Sequence, residues 1–116
     1  MFSIIIPTFN NFNYLKICIY SIKKNSKFNH EIILHINDGS DGSLKYAKQN
    51  NLRHTYSNNN IGLCTAVNSA AKLSSTKYIL YAHDDMYFCP EWDEHLLNEV
   101  NIISHNKFYL SGTMIE

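Results

Sequence analysis

The chain has 116 residues, 45% of them apolar and 17% charged, and its ten Lys and Arg balance its ten Asp and Glu. That is enough apolar material for one domain with a real core. The zero net charge removes the electrostatic case for wrapping nucleic acid or for the whole chain clinging to an anionic membrane. Cys18, Cys64 and Cys89 are odd in number and lack the paired spacing of a zinc knuckle or redox motif, so they read as reduced thiols in a cytoplasmic protein.

In chain order, Met1 to Ile6 is apolar but runs straight into Pro7 without a basic leader, too short for a signal peptide or a membrane span. Ser3 to Pro7 reads as a first strand, its three successive isoleucines suiting a strand buried on both faces. Phe12, Leu15, Cys18, Ile19 and Ile22 recur at helical spacing and predict a helix over 11–25. Glu31 to Asn37 is the second strand, Ser43 starts a short helix to Gln49, and Arg53 to Ser57 is a polar third strand near an edge.

After the turn Asn58-Asn59-Asn60, a helix from Gly62 places Leu63, Ala66, Val67, Ala70 and Leu73 on one face. Tyr78 to Ala82 is the fourth strand, with His83-Asp84-Asp85 at its carboxyl end. Pro90 fits the first turn of a further helix whose buried face is Trp92, Leu96, Val100 and Ile103, and Glu91, Asp93 and Glu94 suit its amino terminus. Phe108 to Ser111 reads as a fifth strand. Strands alternating with helices predict βαβ units, a mostly parallel sheet and helices on both faces. No repeat or linker divides residues 1–116, which form one domain. The stop at Glu116, directly after an apolar run, suggests part of a longer protein.

Three strand ends carry polar clusters: Pro7-Thr8-Phe9-Asn10, Asn37-Asp38-Gly39-Ser40 and Asp84-Asp85. Ligands of open α/β sheets bind at the carboxyl ends of strands, where the strand order reverses. Asp38 has two readings. It is either an Asx turn or helix cap, or a carboxylate that accepts from the imide N–H of uracil, thymine or guanine in preference to adenine or cytosine. Asp84 and Asp85 form either a solvated acidic turn or a hard-cation site, because magnesium typically takes one or two carboxylates together with substrate phosphates. His83 adjoins the acidic pair and is placed to tune it or contact ligand; His30, His35, His54, His95 and His105 show no metal-ligand spacing and read as surface or half-buried residues, and the tyrosines as core and rim packing.

Ser3-Ile4-Ile5-Ile6-Pro7-Thr8-Phe9-Asn10, Asn37-Asp38-Gly39-Ser40, Asn60-Ile61-Gly62 through Ala66 and Asn68, and Asp84-Asp85 together resemble, in order, four motifs of family 2 glycosyltransferases. The resemblance covers nearly the whole chain. It implies a GT-A, Rossmann-like α/β fold, truncated after about the fifth strand, and transfer of a hexosyl group from a nucleotide diphosphate sugar, a UDP-sugar for preference, to a glycan, lipid or protein acceptor with inversion.

By the same resemblance Pro7, Thr8, Phe9, Asn10, Asp38, Asn60, Gly62, Asn68 and Asp84 border the donor. Thr8 and Phe9 flank the base, Asp38 accepts from it, Asp84 faces ribose or metal-bound water, and Asp85 ligates Mn2+ or Mg2+. Asn37 stands where the family carries an aspartate, and Phe9 where it often has tyrosine. The family's general base belongs to an acceptor-side segment beyond Glu116, so none is named. A nucleotidyltransferase would carry a glycine-rich basic loop after the first strand, and a receiver-type phosphoacceptor would carry its acidic pair there. A non-catalytic nucleotide-sugar binder is the remaining rival.

Overall fold

A computed structural model describes residues 1–112. The elements are β1 (Phe2–Phe9), α1 (Phe12–Asn25), β2 (Glu31–Asn37), α2 (Ser43–Gln49), β3 (Arg53–Ser57), α3 (Leu63–Ala71), β4 (Tyr78–Tyr81) and α4 (Trp92–Ile102). All strand pairs are parallel and the sheet order is β3-β2-β1-β4. The chain therefore steps outward from β1 to β3 and then returns to the other side of β1, which makes the β1/β4 gap the point where strand order reverses.

Alternation along the two central strands sorts the core into two layers. Ile4, Ile6, Leu34 and Ile36 pack under Leu15, Cys18, Ile19 and Ile22 of α1, with Ala47 of α2 and Val100 of α4 completing that layer. Ile5 and Ile33 point the other way and meet Val67, Ala70 and Ala71 of α3. Ile4, Ile5 and Ile6 are all fully buried, as expected for a parallel strand covered on both faces. Pro7 is tolerated within β1 because pairing with β4 ends at Ile5 opposite Tyr81. Pro7 shares the parity of Ile5, whose carbonyl accepts from Ala82 on the β4 side, so its missing N–H faces the place where the ladder has stopped.

Several expectations need correction. Residues 108–111 form no strand: Phe108 packs on Tyr78 with ring centroids 5.6 Å apart and Leu110 joins the core's edge, while Tyr109 is exposed. This segment alternates in and out without a backbone partner among the described residues. Pro90 lies outside the helix it was expected to begin, which starts at Trp92 after Glu91 in the left-handed region. Leu63 is 53% exposed instead of facing the core. Two histidines are buried: His35 is 1% exposed, and the His30 side chain likewise. Among the described residues no helix is long and apolar enough to cross a membrane.

Candidate functional site

The expected clusters meet on one rim, at the carboxyl ends of β1, β2 and β4. Beyond β1 the chain turns at Asn10 with φ 47°, and beyond β2 at Asp38 with φ 62° and Gly39 with φ 75°. Asn and Asp visit this left-handed region more readily than other side chains because they hydrogen-bond locally. Here they bond to each other, Asn10 Nδ2 donating to Asp38 Oδ2 at 2.9 Å. At Gly39 a Cβ would lie 2.7 Å from Ile36 Cγ2 and 2.8 Å from Leu44 Cβ, so only glycine fits.

Asp38 does not cap α2. That task falls to Asp41, whose carboxylate accepts from the N–H of Ser43 at 3.1 Å and of Phe12 at 2.9 Å. Ser40 Oγ donates to Asp38 Oδ2 at 3.2 Å, so among the described residues the bonds Asp38 receives fall on Oδ2 and none on Oδ1.

Across the β1/β4 gap, buried Thr8 donates from Oγ1 to Asp84 Oδ2 at 2.8 Å, and Asn11 Nδ2 donates to Asp84 Oδ1 at 3.1 Å. Both oxygens of Asp84 are thus held in place. Asp85 beside it is exposed and takes part in no ion pair among the described residues. Beneath the pair, burial and then the charges of Asp84 and Asp85 push the Cys18 thiol up to about 12, so it stays protonated and packs as a small apolar group. Cys18, Cys64 and Cys89 are all free thiols. Burial, followed by Asp84, also raises the Tyr81 hydroxyl above its usual range.

The remaining expected residues divide. Phe9 is 50% exposed and offers an open ring on the rim. Asn60 Oδ1 accepts from the Gly62 N–H at 3.0 Å, shaping the turn into α3, where Gly62 has φ 84°. That turn is tied to the strand ends through Asn37, whose Oδ1 accepts from the Ile61 N–H at 3.0 Å. Asn68 is exposed on α3, and no hydrogen bond joins it to the cluster among the described residues.

Asn11 was missed as a contributor, and Asn37, though in the second strand-end cluster, was given no role; a run of amides beside strand ends is a usable signal, since each amide both donates and accepts. A shallow concavity of about 450 Å3 between Lys48, Arg53, His54 and Leu73 lies at the opposite end of the strands and holds none of these groups.

The profile described as "Glycosyl transferase family 2" matches residues 3–106. The chain belongs to glycosyl transferase family 2. An uncharacterized glycosyltransferase of Rickettsia bellii (strain RML369-C) is 32% identical over 118 residues, covering 95% of this chain and 16% of the relative. A second, from Rickettsia prowazekii (strain Madrid E), is 35% identical over 105 residues, covering 85% of this chain and 31% of the relative. The chain therefore spans under a third of the length of these relatives.

In structure, the chain is similar to S. aureus TarS 1–349 in complex with UDP, with a TM-score of 0.76 at 22% identity, covering 87% of this chain and 32% of TarS 1–349. The complex of the same protein with UDP-GlcNAc gives 0.74 at 23% identity, covering 87% and 31%. The family's α/β, Rossmann-like GT-A fold is thus the fold of this chain, with four parallel strands in the described residues.

Proposed function

We propose that this family 2 domain binds a nucleotide diphosphate sugar on the rim and serves an enzyme that transfers the sugar to an acceptor hydroxyl. The observation that carries the reading is the Thr8–Asp84 hydrogen bond, which joins the first-strand motif to the acidic motif across the point of strand reversal. The Asn10–Asp38 bond sets a second carboxylate beside it. Asp38 Oδ1 is the acceptor for the imide N–H of uracil, and Phe9 supplies a face for the base. The solved complexes of TarS with UDP and UDP-GlcNAc support a uridine donor.

The donor set fits Mn2+ or Mg2+. Among the described residues no group of three His, Cys, Asp or Glu gathers, so the protein offers Asp85 and the held carboxylate of Asp84, and donor phosphates and water complete the shell. When bound, the cation offsets charge on the leaving diphosphate. Thr8 and Asn11 hold Asp84 in a fixed orientation, so Asp85 is the side chain free to engage.

Hexosyl transfer with inversion is the form the family resemblance implies. A non-catalytic donor binder is the rival reading. Calorimetric titration of UDP, GDP, ADP and CDP with Mn2+ tests the binding claim. Tighter binding of UDP or GDP than of ADP or CDP is expected, and equal affinity for all four contradicts it. Release of UDP from UDP-GlcNAc separates enzyme from binder.

A further inference from the structure

The chain is neutral as a whole, but its helices are not. Lys16, Lys23 and Lys24 are the only Lys, Arg, Asp or Glu residues of α1, and Lys45 and Lys48 the only ones of α2. Those of α4 are Asp93, Glu94 and Glu99. α1 and α2 cover the same layer of the core, so their lysines share one side of the sheet. α4 flanks that layer, but its Asp93 is buried and its Glu94 is paired with Lys27, which leaves Glu91 and Glu99 as the exposed acids on that flank. No acid pairs with Lys16, Lys23 or Lys24 among the described residues.

The outward face of α1 is also unusually apolar. Leu15, Cys18, Ile19 and Ile22 face the core, while Ile17 and Tyr20, one turn apart on the other side, are 52% and 57% exposed. Lys16 and Lys24 stand four residues to either side of Tyr20, and Lys24 Nζ lies 5.6 Å from the Tyr20 ring centroid. Beyond the end of the helix Phe28 is 43% exposed, with Lys27 Nζ 5.9 Å from its ring centroid.

We propose that the outer face of α1, with Phe28 beyond its end, docks this domain on an anionic lipid surface. Ile17, Tyr20 and Phe28 enter the headgroup layer, where aliphatic side chains and amphipathic rings are favoured. The lysine stems lie along the apolar surface and carry their ammonium groups to the lipid phosphates. A neutral chain can do this because the attraction acts within a Debye length of the face that meets the lipid. Nucleic acid fits less well: its phosphates favour arginine forks, and Arg53, the single arginine, is paired with Glu31. Since α1 begins at the rim, where Asn11 donates to Asp84, docking lays the strand-end cluster beside the bilayer.

The test is cosedimentation of the 116-residue chain with vesicles. Vesicles of phosphatidylglycerol and phosphatidylcholine in equal parts should bind it at about 0.1 M salt, and vesicles of phosphatidylcholine alone at least about tenfold more weakly. K16Q/K24Q should weaken binding roughly 25-fold, at about fivefold per lysine, whereas K72Q/K77Q removes the same charge elsewhere and should change it less than about twofold. I17S/Y20S keeps every charge and should still weaken binding about fivefold or more. All these positions are exposed, so each variant should melt as wild type does. No binding to anionic vesicles, equal binding to neutral ones, equal losses from the two lysine pairs, or no loss in I17S/Y20S overturns the proposal. Retention by single-stranded RNA or polyglutamate but not by vesicles also overturns it and gives the face to another partner.

Discussion

The two ends of the sheet are built from similar polar residues and put them to opposite uses. At the amino end, Ser3 Oγ lies 2.6 Å from Glu31 Oε2, 2.6 Å from Thr76 Oγ1 and 2.7 Å from Ser74 Oγ, and Arg53 pairs with the same glutamate. His30 Nδ1 accepts from the Phe2 N–H at 3.1 Å, so its proton sits on Nε2 and is donated to Asp93 Oδ2 at 2.8 Å. Asp93 is fully buried and also accepts from the N–H groups of Lys27 and Phe28.

At the carboxyl end the polar groups are only partly engaged. Asn10 and Asp38 hold left-handed backbone, Asp85 is exposed, and among the described residues no hydrogen bond falls on Asp38 Oδ1. Satisfied, buried polar groups anchor α4 and the strand starts, whereas left-handed backbone and partly engaged carboxylates collect at the carboxyl rim, where the proposed function puts the ligand.

The largest effect that could break this division is at Asp93. Asp93→Ala removes the acceptor for three backbone N–H groups and His30, and should cost about 3 to 5 kcal/mol in urea unfolding, since each buried donor left unsatisfied costs about 1 to 3 kcal/mol. Burial pushes the Asp93 carboxyl up, but the N–H groups of Phe28 and Lys27 and the His30 imidazole outweigh it and hold it below the usual carboxylate range. A lowered folded-state value means the contribution is complete above the ordinary range near 4 and is lost as the pH falls below it. Asp93→Asn should flatten that acid limb. An unchanged acid limb would contradict the assignment.

Next in size is Asp85→Ala, which should weaken Mn2+-dependent UDP binding by roughly 2 to 4 kcal/mol and leave the melting temperature in place. Asp84→Ala should weaken binding less. Loss of folding in Asp85→Ala would move Asp85 to the structural side of the comparison. Asp38→Ala should cost about 1 to 3 kcal/mol for UDP and much less for CDP, which offers no imide N–H; equal losses for both would remove base reading from Asp38. The smallest effect belongs to Lys27→Ala. Its exposed ammonium pairs with Glu94 at 2.9 Å, and its loss should leave the urea midpoint unchanged.

The order of elements was legible because periodicity reports burial directly: Leu15, Cys18, Ile19 and Ile22 of α1 are the positions that pack with β1 and β2, while Phe12 meets Tyr46 of α2. The same signal misled at Phe108 to Ser111, since in-out alternation looks alike whether or not a neighbouring strand supplies hydrogen bonds. Of the site, Thr8, Asn10, Asp38 and Asp84 were legible as strand-end polar residues. Asn37 was legible as a strand-end residue but its role was not, and neither was that of Asn11 or, at the other end, His30, because these roles depend on partners 24, 73 and 63 positions away, and local spacing carries no information about who sits across a gap.

The division between the two ends is tested most directly by mapping backbone amide chemical shifts during titration of UDP with Mn2+. The account predicts that perturbed amides cluster at Thr8 to Asn11, Asp38 to Ser40, Ile61 to Gly62 and Asp84 to Asp85, with Lys27 to His30 and Ser74 to Thr76 unmoved. Perturbations centred on the amino end, or none at all at saturating UDP, would contradict it.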